Sequence, residues 1–343
     1  MNRNDRGRHL VKLFKQETIG RALQNFRRVP YADDLLAQAP TFIADQLGRV
    51  VIARSQIARW QLDLMPQFIE EASLFVQKCQ QPFDLQAMQQ NSRGSHWFSI
   101  CGHDRNNKTI PALSKFHKDN EEAINWFFRK GSPMSRISQC ASSFVEIHFP
   151  GVAQRFQKGI ALIDERYGVK AMYGLFFNFC LNASRPGQVD RVHCLPHADY
   201  KNLALAVCVV FVYGEFNHKE KCWLVMWEAG IILQIPPGVF VAYPSALFYH
   251  FNFDISNLEV CVTDGADFPT PQNSRRLDGG ASGRGSCVWF NQASMWQTAE
   301  IGVDTIKQAI SQGLDATCDN QAFLDSLVFA KIMGDKGQPQ PTL

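Results

Sequence analysis

The strongest constraint on the fold is a change of period in the second half of the chain. Between residues 170 and 265 the apolar residues come in short runs rich in Val, Ile, Phe, Tyr and Trp, separated by Gly, Pro, Asn and Asp. Such runs predict strands, and we expect eight, near residues 171–181, 192–199, 203–213, 221–228, 230–235, 239–243, 246–253 and 258–263. Eight antiparallel strands in two sheets form a jelly-roll, the cupin-like barrel also called a double-stranded β-helix.

Helical patterns flank this barrel. Apolar residues recur at helical spacing from about residue 35 to 80, and acidic residues suit the start of a helix over 120–128. Another helix is predicted over 152–167, ended by Gly168, and a last one near 300–332. The sequence therefore predicts an α+β protein in four parts: a basic N-terminal segment (1–34), a mostly helical region packed on the core (35–169), the double-stranded β-helix domain (170–300), and a C-terminal helix with a disordered tail (301–343).

Two further stretches are predicted to connect these elements. Residues 89–107 are polar and separate the first two helical blocks. Residues 278–283 are glycine-rich and suggest a mobile loop before Val288-Trp289-Phe290. Glycine-rich loops beside a barrel mouth sometimes act as lids, although most only connect.

The composition is that of a folded protein without a membrane anchor. Of its 343 residues, 45% are hydrophobic and 12% aromatic, which is enough to bury a large core. No apolar run reaches the roughly 18 residues that a membrane span needs. The ten cysteines are scattered without a Cys-x-x-Cys pair, so we expect free thiols and an intracellular location, cytoplasmic or nuclear.

The charge is unevenly distributed. Residues 1–30 carry eight Lys and Arg against Asp5 and Glu17, a balance of +6, so the remainder is negative although the whole chain is +3. The body of the protein is therefore not a basic nucleic-acid-binding surface, and it lacks an interleaved Arg and aromatic stripe. A nucleic-acid partner is allowed but not strongly indicated, and the basic start is most simply a solvated tail or helix face.

One group of residues has the pattern of a metal site. His197 and Asp199 are two residues apart, and on a strand such residues project from the same face. His250 follows after about four predicted strands and offers a third ligand. Two histidines and one carboxylate leave coordination positions open, which suits non-haem Fe(II) that binds a keto acid and dioxygen. The alternative is that these are ordinary hydrogen-bonded residues near a sheet edge.

Other histidines fit a metal site less well. A second His-x-Asp pair, at His117 and Asp119, precedes a helix, and no predicted strand separates it from the next histidine. His193 is close to His197, but Pro196 interrupts the strand between them and no thiolate set completes a zinc site. We interpret His193 as a residue that supports the metal site or faces substrate, or else as a surface imidazole.

The motifs around these residues resemble a known group. His197-Ala198-Asp199-Tyr200-Lys201-Asn202, Pro236-Pro237-Gly238, Tyr243-Pro244-Ser245-Ala246 and His250-Phe251-Asn252 resemble uncharacterised basidiomycete fungal proteins, distantly related to the oxygenase domain of the TET and JBP nucleic-acid-modifying dioxygenases. The block Gly283–Ser294 resembles one branch of that group. The resemblance covers roughly residues 170–300.

The resemblance implies an Fe(II)- and 2-oxoglutarate-dependent dioxygenase that hydroxylates a C–H bond, with His197, Asp199 and His250 as metal ligands. Its substrate would be a modified nucleobase, a small metabolite or a protein side chain. Asn202 and Asn252 would orient the ligands, and Tyr243 and Ser245 are candidate pocket residues by strand position. The competing hypothesis is a non-catalytic, cupin-like binding module.

The sequence departs from the family where a basic residue should bind the distal carboxylate of 2-oxoglutarate. That Arg or Lys is expected ten to fifteen residues after the last histidine, on the final strand, yet residues 251–274 contain none and Cys261 lies near its place. A dicarboxylate without a cationic partner loses a contact of roughly 1.5–3 kcal/mol. Three explanations stay open: a substitute basic residue, another co-substrate, or lost catalysis. We favour a substitute and expect it among Arg284, which leads, Arg275, Arg276 and Lys201.

Overall fold

The computed structural model describes residues 3–31, 39–79, 93–105, 108–184, 191–255, 261–263, 274–276, 283–314 and 329. The helices are α1 (Arg3–Lys15), α2 (Ile19–Leu23), α3 (Arg59–Lys78), α4 (Lys115–Asp119), α5 (Glu121–Phe127), α6 (Pro133–His148), α7 (Pro150–Tyr167), α8 (Ala293–Ile301) and α9 (Ile306–Ser311). No described helix is long and apolar enough to cross a membrane.

Fourteen strands lie within the described ranges. They are β1 (Arg27–Val29), β2 (Thr41–Ala44), β3 (Val50–Arg54), β4 (Trp97–Asp104), β5 (Ala112–Leu113), β6 (Asn178–Ala183), β7 (Cys208–Tyr213), β8 (Trp223–Met226), β9 (Ile231–Leu233), β10 (Phe240–Tyr243), β11 (His250–Phe253), β12 (Cys261–Thr263), β13 (Ser274–Arg276) and β14 (Gly285–Phe290).

The strands form two facing sheets and a separate pair. The large sheet has the order β2-β3-β10-β7-β14-β6-β4-β5, the small sheet has the order β1-β9-β8-β11, and β12 and β13 form a two-stranded sheet. All pairs are antiparallel except β1 with β9. This is an α+β fold built on a double-stranded β-helix, as the sequence predicts.

Because successive side chains of a strand point to opposite faces of the sheet, the buried apolar residues form three separate clusters. Between the sheets lie Val210, Val212, Leu224, Met226 and Leu233, all buried. The opposite face of the large sheet packs against α3, α5, α6 and α7 in a cluster that includes Phe68, Phe127, Phe156, Phe211 and Trp289. The outer face of the small sheet is covered by Ile19 and Leu23 of α2. The helices therefore support the barrel from outside and leave one end of the space between the sheets for a pocket.

Several predicted elements are confirmed. The helices over 120–128 and 152–167 correspond to α5 and α7, and Gly168 ends α7 in the left-handed region with φ 64°. Seven of the eight predicted strand regions contain β6 to β12. The turn at Gly238 also has a positive φ, 87°, as a glycine at this point allows.

The predictions were wrong in other places. The region 35–80 is helical only from Arg59, because Ile43 and Val50 belong to the antiparallel pair β2 and β3. The polar stretch 89–107 contains β4, whose residues pair along the whole of β6. Residues 192–199 form no regular strand, and α6 was not predicted.

The end of the barrel also differs from the prediction. The strand expected at 258–263 is β12, which lies outside the two large sheets, whereas β14 is inserted between β6 and β7. Among the described residues, the last strand of the barrel is therefore β14. Of the last predicted helix, residues 306–311 form α9 and most of the remainder lies outside the described residues.

Candidate metal site and its pocket

The metal-site residues meet where the segment 192–199 crosses the start of β11. The His197 N–H donates to the His250 carbonyl at 3.2 Å and the His250 N–H donates back at 2.8 Å. Two residues on, the Asp199 N–H donates to the carbonyl of Ser245 at 2.9 Å. These three backbone hydrogen bonds, and not a regular strand over 192–199, hold the side chains of His197, Asp199 and His250 in register.

The three side chains face one another. Their potential ligand atoms all lie within 4.8 Å of one another. His197 Nε2 is 3.9 Å from Asp199 Oδ1, and His250 Nε2 is 3.9 Å from Asp199 Oδ2. The spacing is wide enough for a cation between them and too wide for direct hydrogen bonds.

Each imidazole is oriented by a carbonyl of its own chain. His197 Nδ1 lies 2.6 Å from the Leu195 carbonyl, and His250 Nδ1 lies 3.0 Å from the Phe248 carbonyl. A carbonyl only accepts, so Nδ1 carries the proton in both rings and Nε2 presents a lone pair. A second-nitrogen hydrogen bond of this kind is the usual way in which proteins orient metal-binding histidines.

Electrostatics keep the ligand set in its metal-binding protonation state. Burial, with the neighbouring His250, lowers the pKa of His197 to about 3. Burial also lowers the pKa of His250. Burial would raise the pKa of Asp199, but the charges of His250, Arg93 and His197 outweigh it and the pKa falls. Two neutral imidazoles and one carboxylate are the forms that bind a divalent cation.

Asp199 is held from two sides. Arg93 Nη2 forms an ion pair with Asp199 Oδ1 at 2.9 Å, although this oxygen accepts no aligned hydrogen bond from the described residues. Asn202 Nδ2 lies 3.4 Å from Asp199 Oδ2 and donates to Ser245 Oγ at 3.0 Å. Asn202 and Ser245 thus orient the carboxylate.

A pocket of about 510 Å³ opens from these residues between the two sheets. One wall is apolar, with Phe98, Ile100 and Phe116, and the other end is polar. The polar end contains Arg284, which is only 3% exposed although its side chain is charged. No carboxylate among the described residues pairs with it, which is unusual because an uncompensated charge is costly to bury.

Arg284 has incomplete hydrogen bonding within the described residues. Its Nη1 donates to the Val192 carbonyl at 3.2 Å and to Asn252 Oδ1 at 3.4 Å, whereas its buried Nε has no partner there. Asn252 is in turn fixed by the Cys194 N–H at 3.0 Å and donates to the Cys222 carbonyl at 3.3 Å. The guanidinium is therefore held in place with donor capacity left for an anionic ligand.

The remaining predicted pocket residues fall into three groups. Tyr243 is buried with its ring centroid 5.1 Å from that of His250, and burial raises its pKa well above the ordinary value. Lys201 lines the pocket at its exposed rim. Arg275 and Arg276 lie on β13, and their side chains are outside the described part of the structure.

The structure also shows where the described chain returns to the large sheet after His250. The positions ten to fifteen residues after His250 include β12, which lies outside the two large sheets, and β14 of the large sheet begins at Gly285, directly after Arg284. Sequence reasoning missed Arg93, His96, Asn182 and Ser286, all of which line the same pocket. Ser286 could have been found, because it alternates with Arg284; His96 and Arg93 lie in a polar stretch without a pattern.

The other histidines have different surroundings. His117 Nδ1 accepts the Gly102 N–H at 3.0 Å, as a structural residue of α4. His193, Cys222 and Asp254 form a second compact group. Its carboxylate already pairs with Arg191 at 2.7 Å and Lys221 at 3.4 Å. Two cations around one carboxylate favour an ion-pair network there over a metal site.

Comparison with known proteins finds similarity in fold alone. No protein-family model and no curated protein matches the sequence. Among solved structures, NgTET1 in complex with 5mC DNA is similar with a TM-score of 0.44 and 12% identity, over 91% of this chain and 99% of that chain. A 2OG-Fe(II) oxygenase family oxidoreductase from Burkholderia pseudomallei has a TM-score of 0.36 and 12% identity, over 77% and 93%.

A third similar structure is OsALKBH1, with a TM-score of 0.32 and 8% identity, over 74% of this chain and 100% of that chain. Because the sequence identity is this low, neither the roles of residues nor the activity of those proteins can be assigned to this chain. The resemblance to fungal proteins stays a prediction.

Proposed function

We propose that the protein is an Fe(II)- and 2-oxoglutarate-dependent oxygenase that hydroxylates a C–H bond. The observation that carries this proposal is the orientation of the two imidazoles. Both Nδ1 atoms are engaged by backbone carbonyls, so both Nε2 lone pairs and the Asp199 carboxylate face one space. Two histidines and one carboxylate on one side of a cation leave sites for a keto acid and dioxygen.

The residues also fit the keto acid. Arg284 would bind the distal carboxylate, because its guanidinium is buried in the same pocket and its Nε has no hydrogen-bond partner in the described part of the chain. Ser286, on β14, is two residues after Arg284 and lines the same pocket. Arg93, which pairs with Asp199, adds a second positive charge for the carboxylate nearest the metal. A bound iron with this co-substrate would supply the oxidising power. The protein would bind and orient the substrate and exclude water.

The apolar wall of Phe98, Ile100 and Phe116 would hold the substrate close to the metal. Asn202, Lys201 and the largely exposed Tyr200 line the mouth and would contact polar parts of the substrate. A modified nucleobase, a small metabolite and a protein side chain each satisfy these contacts. NgTET1 was crystallised with 5mC DNA, so a nucleobase is one substrate to test first.

The deciding experiment is an anaerobic Fe(II) titration with and without 2-oxoglutarate. The keto acid complex should produce a weak charge-transfer band in the green that needs both components. His197→Ala should abolish the band by removing a metal ligand. The Arg284→Gln variant should need a much higher 2-oxoglutarate concentration to produce the same band. Iron binding without the band in the wild-type protein would favour a binding module, and absence of iron binding would refute the metal site.

A further inference from the structure

The segment 200–205 leaves the pocket directly after Asp199 and is anchored to it at the start. The Asn202 N–H donates to the Asp199 carbonyl at 2.8 Å. Asn202 Nδ2 donates to Ser245 Oγ at 3.0 Å and lies 3.4 Å from Asp199 Oδ2. The position of the Asn202 backbone therefore decides where its side-chain amide meets the Asp199 carboxylate.

The beginning of α8 holds the middle of this segment. The Ala293 N–H donates to the Lys201 carbonyl at 2.8 Å, and the Leu203 N–H donates to the Asn291 carbonyl at 2.9 Å. Asn291 is buried, and its side chain both accepts from and donates to the backbone of residues 175–177, at 2.9 Å each. These bonds fix the chain on both sides of Asn202 to the framework of the fold.

A buried arginine holds the end of the segment. Arg155 Nη1, on α7, donates to the carbonyls of Ala204 at 2.8 Å and Leu205 at 3.2 Å. Its Nε and Nη2 donate to the two carboxylate oxygens of Glu300, on α8, at 2.7 and 3.0 Å. The Arg155 side chain is only 5% exposed, and the bidentate pair fixes the orientation of its guanidinium. Helix α8 therefore holds the segment twice, directly at Ala293 and through Arg155 at Glu300.

The contacts with Arg155 support a backbone conformation that is unfavourable by itself. Leu205 has a φ of 49°, in the left-handed region that residues other than glycine rarely adopt. Such a conformation persists where the surrounding structure fixes it, and it is common beside functional sites. Two hydrogen bonds from one guanidinium to successive carbonyls provide this support.

Close packing keeps α7 and α8 at the separation that the ion pair needs. Gly159 lies one turn after Arg155, and Trp296 lies one turn before Glu300. A Cβ at Gly159 would collide with Trp296 Nε1, so a larger residue would push the two helices apart. The glycine thereby sets the distance over which Arg155 reaches Glu300.

We propose that Arg155 and Glu300 act together as positioning residues for the metal site. They fix the segment 200–205, and Asn202 then fixes the direction of the Asp199 carboxylate. Neither Arg155 nor Glu300 belongs to the described lining of the pocket, so both act from the helical layer behind it. The inference rests on the metal site of the proposed function and is independent of the keto acid. It adds that affinity for the cation is set partly by two helices outside the barrel.

The first test breaks the pair with Arg155→Gln, and its matched control is Arg129→Gln. Arg129 makes a similar bidentate pair with Glu71 of α3, at 3.1 and 2.7 Å, and its remaining hydrogen bond among the described residues goes to the Trp126 carbonyl. The affinity for Mn(II), measured from the EPR signal of the free ion below the melting temperature of each variant, should fall by about 10-fold in Arg155→Gln. It should change by less than about 2-fold in Arg129→Gln.

A second measurement asks whether the effect passes through Asn202. In Asn202→Ala the orienting amide is absent, so adding Arg155→Gln should lower the Mn(II) affinity by less than about 2-fold further. Losses that are simply additive in the double variant would overturn the proposal, because Arg155 would then act on the whole fold. If Arg155→Gln does not fold, Glu300→Gln carries the same expectation.

The failure of this inference can be distinguished from the failure of the proposed function. Wild-type protein that binds Mn(II) no more tightly than Arg155→Gln would overturn the positioning role alone. Equal losses in Arg155→Gln and Arg129→Gln would do the same, because they would show a general effect of stability. Wild-type protein that binds no Mn(II) would overturn the metal site, and with it both the proposed function and the positioning role.

Discussion

Asn252 connects the end of the pocket that holds the His197, Asp199 and His250 cluster to the end that holds Arg284. It follows His250 by two residues on β11, and its Oδ1 accepts a hydrogen bond from Arg284 Nη1 at 3.4 Å. The same side chain fixes the backbone at Cys194 and Cys222. A buried amide that makes three such contacts sets the distance between His250 and Arg284.

Replacing the Asn252 amide by a carboxylate should weaken the binding of 2-oxoglutarate and leave the binding of Fe(II) unchanged. In Asn252→Asp the new charge pairs with Arg284 and competes with the distal carboxylate of the keto acid. The affinity for 2-oxoglutarate should fall by at least about tenfold, a loss of roughly 1.4 kcal/mol, while Fe(II) binding persists because the ligands are untouched. Anaerobic titration of each component measures both effects. Loss of Fe(II) binding with unchanged keto acid affinity would contradict this assignment.

The sequence was sufficient to predict that His197, Asp199 and His250 come together, because the spacing of His197 and Asp199 and the strand-like context of His250 are local signals. It was not sufficient to place Arg284 relative to the barrel strands. Arg284 is separated from His250 by a hairpin that lies outside the barrel, so a distance counted along the chain ended in β12. Only the pairing of β14 with β6 and β7 shows that Arg284 precedes a barrel strand.

The first half of the chain shows the same difference between local and long-range information. The helices over 120–128 and 152–167 were predicted because their periodicity and ends are local. The strands β2 and β3 were missed because they are short, and β4 because polar residues surround it; β3 and β4 are stabilised by pairing with β10 and β6, far along the chain. Their positions decide where His96 lies.

The metal-free protein should lose stability as the pH falls below about 6.5. Burial lowers the pKa of His96 and His193 to about 4 and that of His197 to about 3, from 6.5. Between these values the unfolded chain binds protons that the folded chain excludes, so the free energy of unfolding rises with pH by up to about 1.4 kcal/mol per unit for each group. Urea unfolding with a chelator at about pH 7 and about pH 5 measures this. His96→Gln should flatten the slope, and equal stability at both pH values would contradict the prediction.

The positive charge of Arg93 should compensate the negative charge of Asp199 when no metal is bound. Its guanidinium is 2.9 Å from the carboxylate but nearly half exposed, so the pair is worth little compared with a buried one. Arg93→Ala should lower the melting temperature of the metal-free protein by roughly 1–2 °C. The increase on adding Mn(II) should be larger in the variant, because the cation replaces the missing charge. Arg136→Ala, which removes an arginine stacked on Trp60 away from the site, is the control. A smaller metal-induced increase in Arg93→Ala would show that Arg93 supports metal binding instead.

The central position of β14 should make Trp289 one of the main contributors to stability. Its side chain is fully buried on the helical face of the large sheet, 5.4 Å from Phe179 between ring centroids, and its Nε1 donates to Ser138 Oγ at 3.1 Å. Trp289→Ala should reduce the free energy of unfolding by about 3–5 kcal/mol, since it removes the ring and leaves a cavity. Leu62→Ala, at a position 53% exposed on α3, should cost less than about 0.5 kcal/mol. Because β14 carries Ser286 and begins directly after Arg284, the tryptophan variant should also bind 2-oxoglutarate more weakly at temperatures where it remains folded. A tryptophan variant as stable as the leucine variant would mean that β14 is not a central strand, and the placement of Arg284 would fall with it.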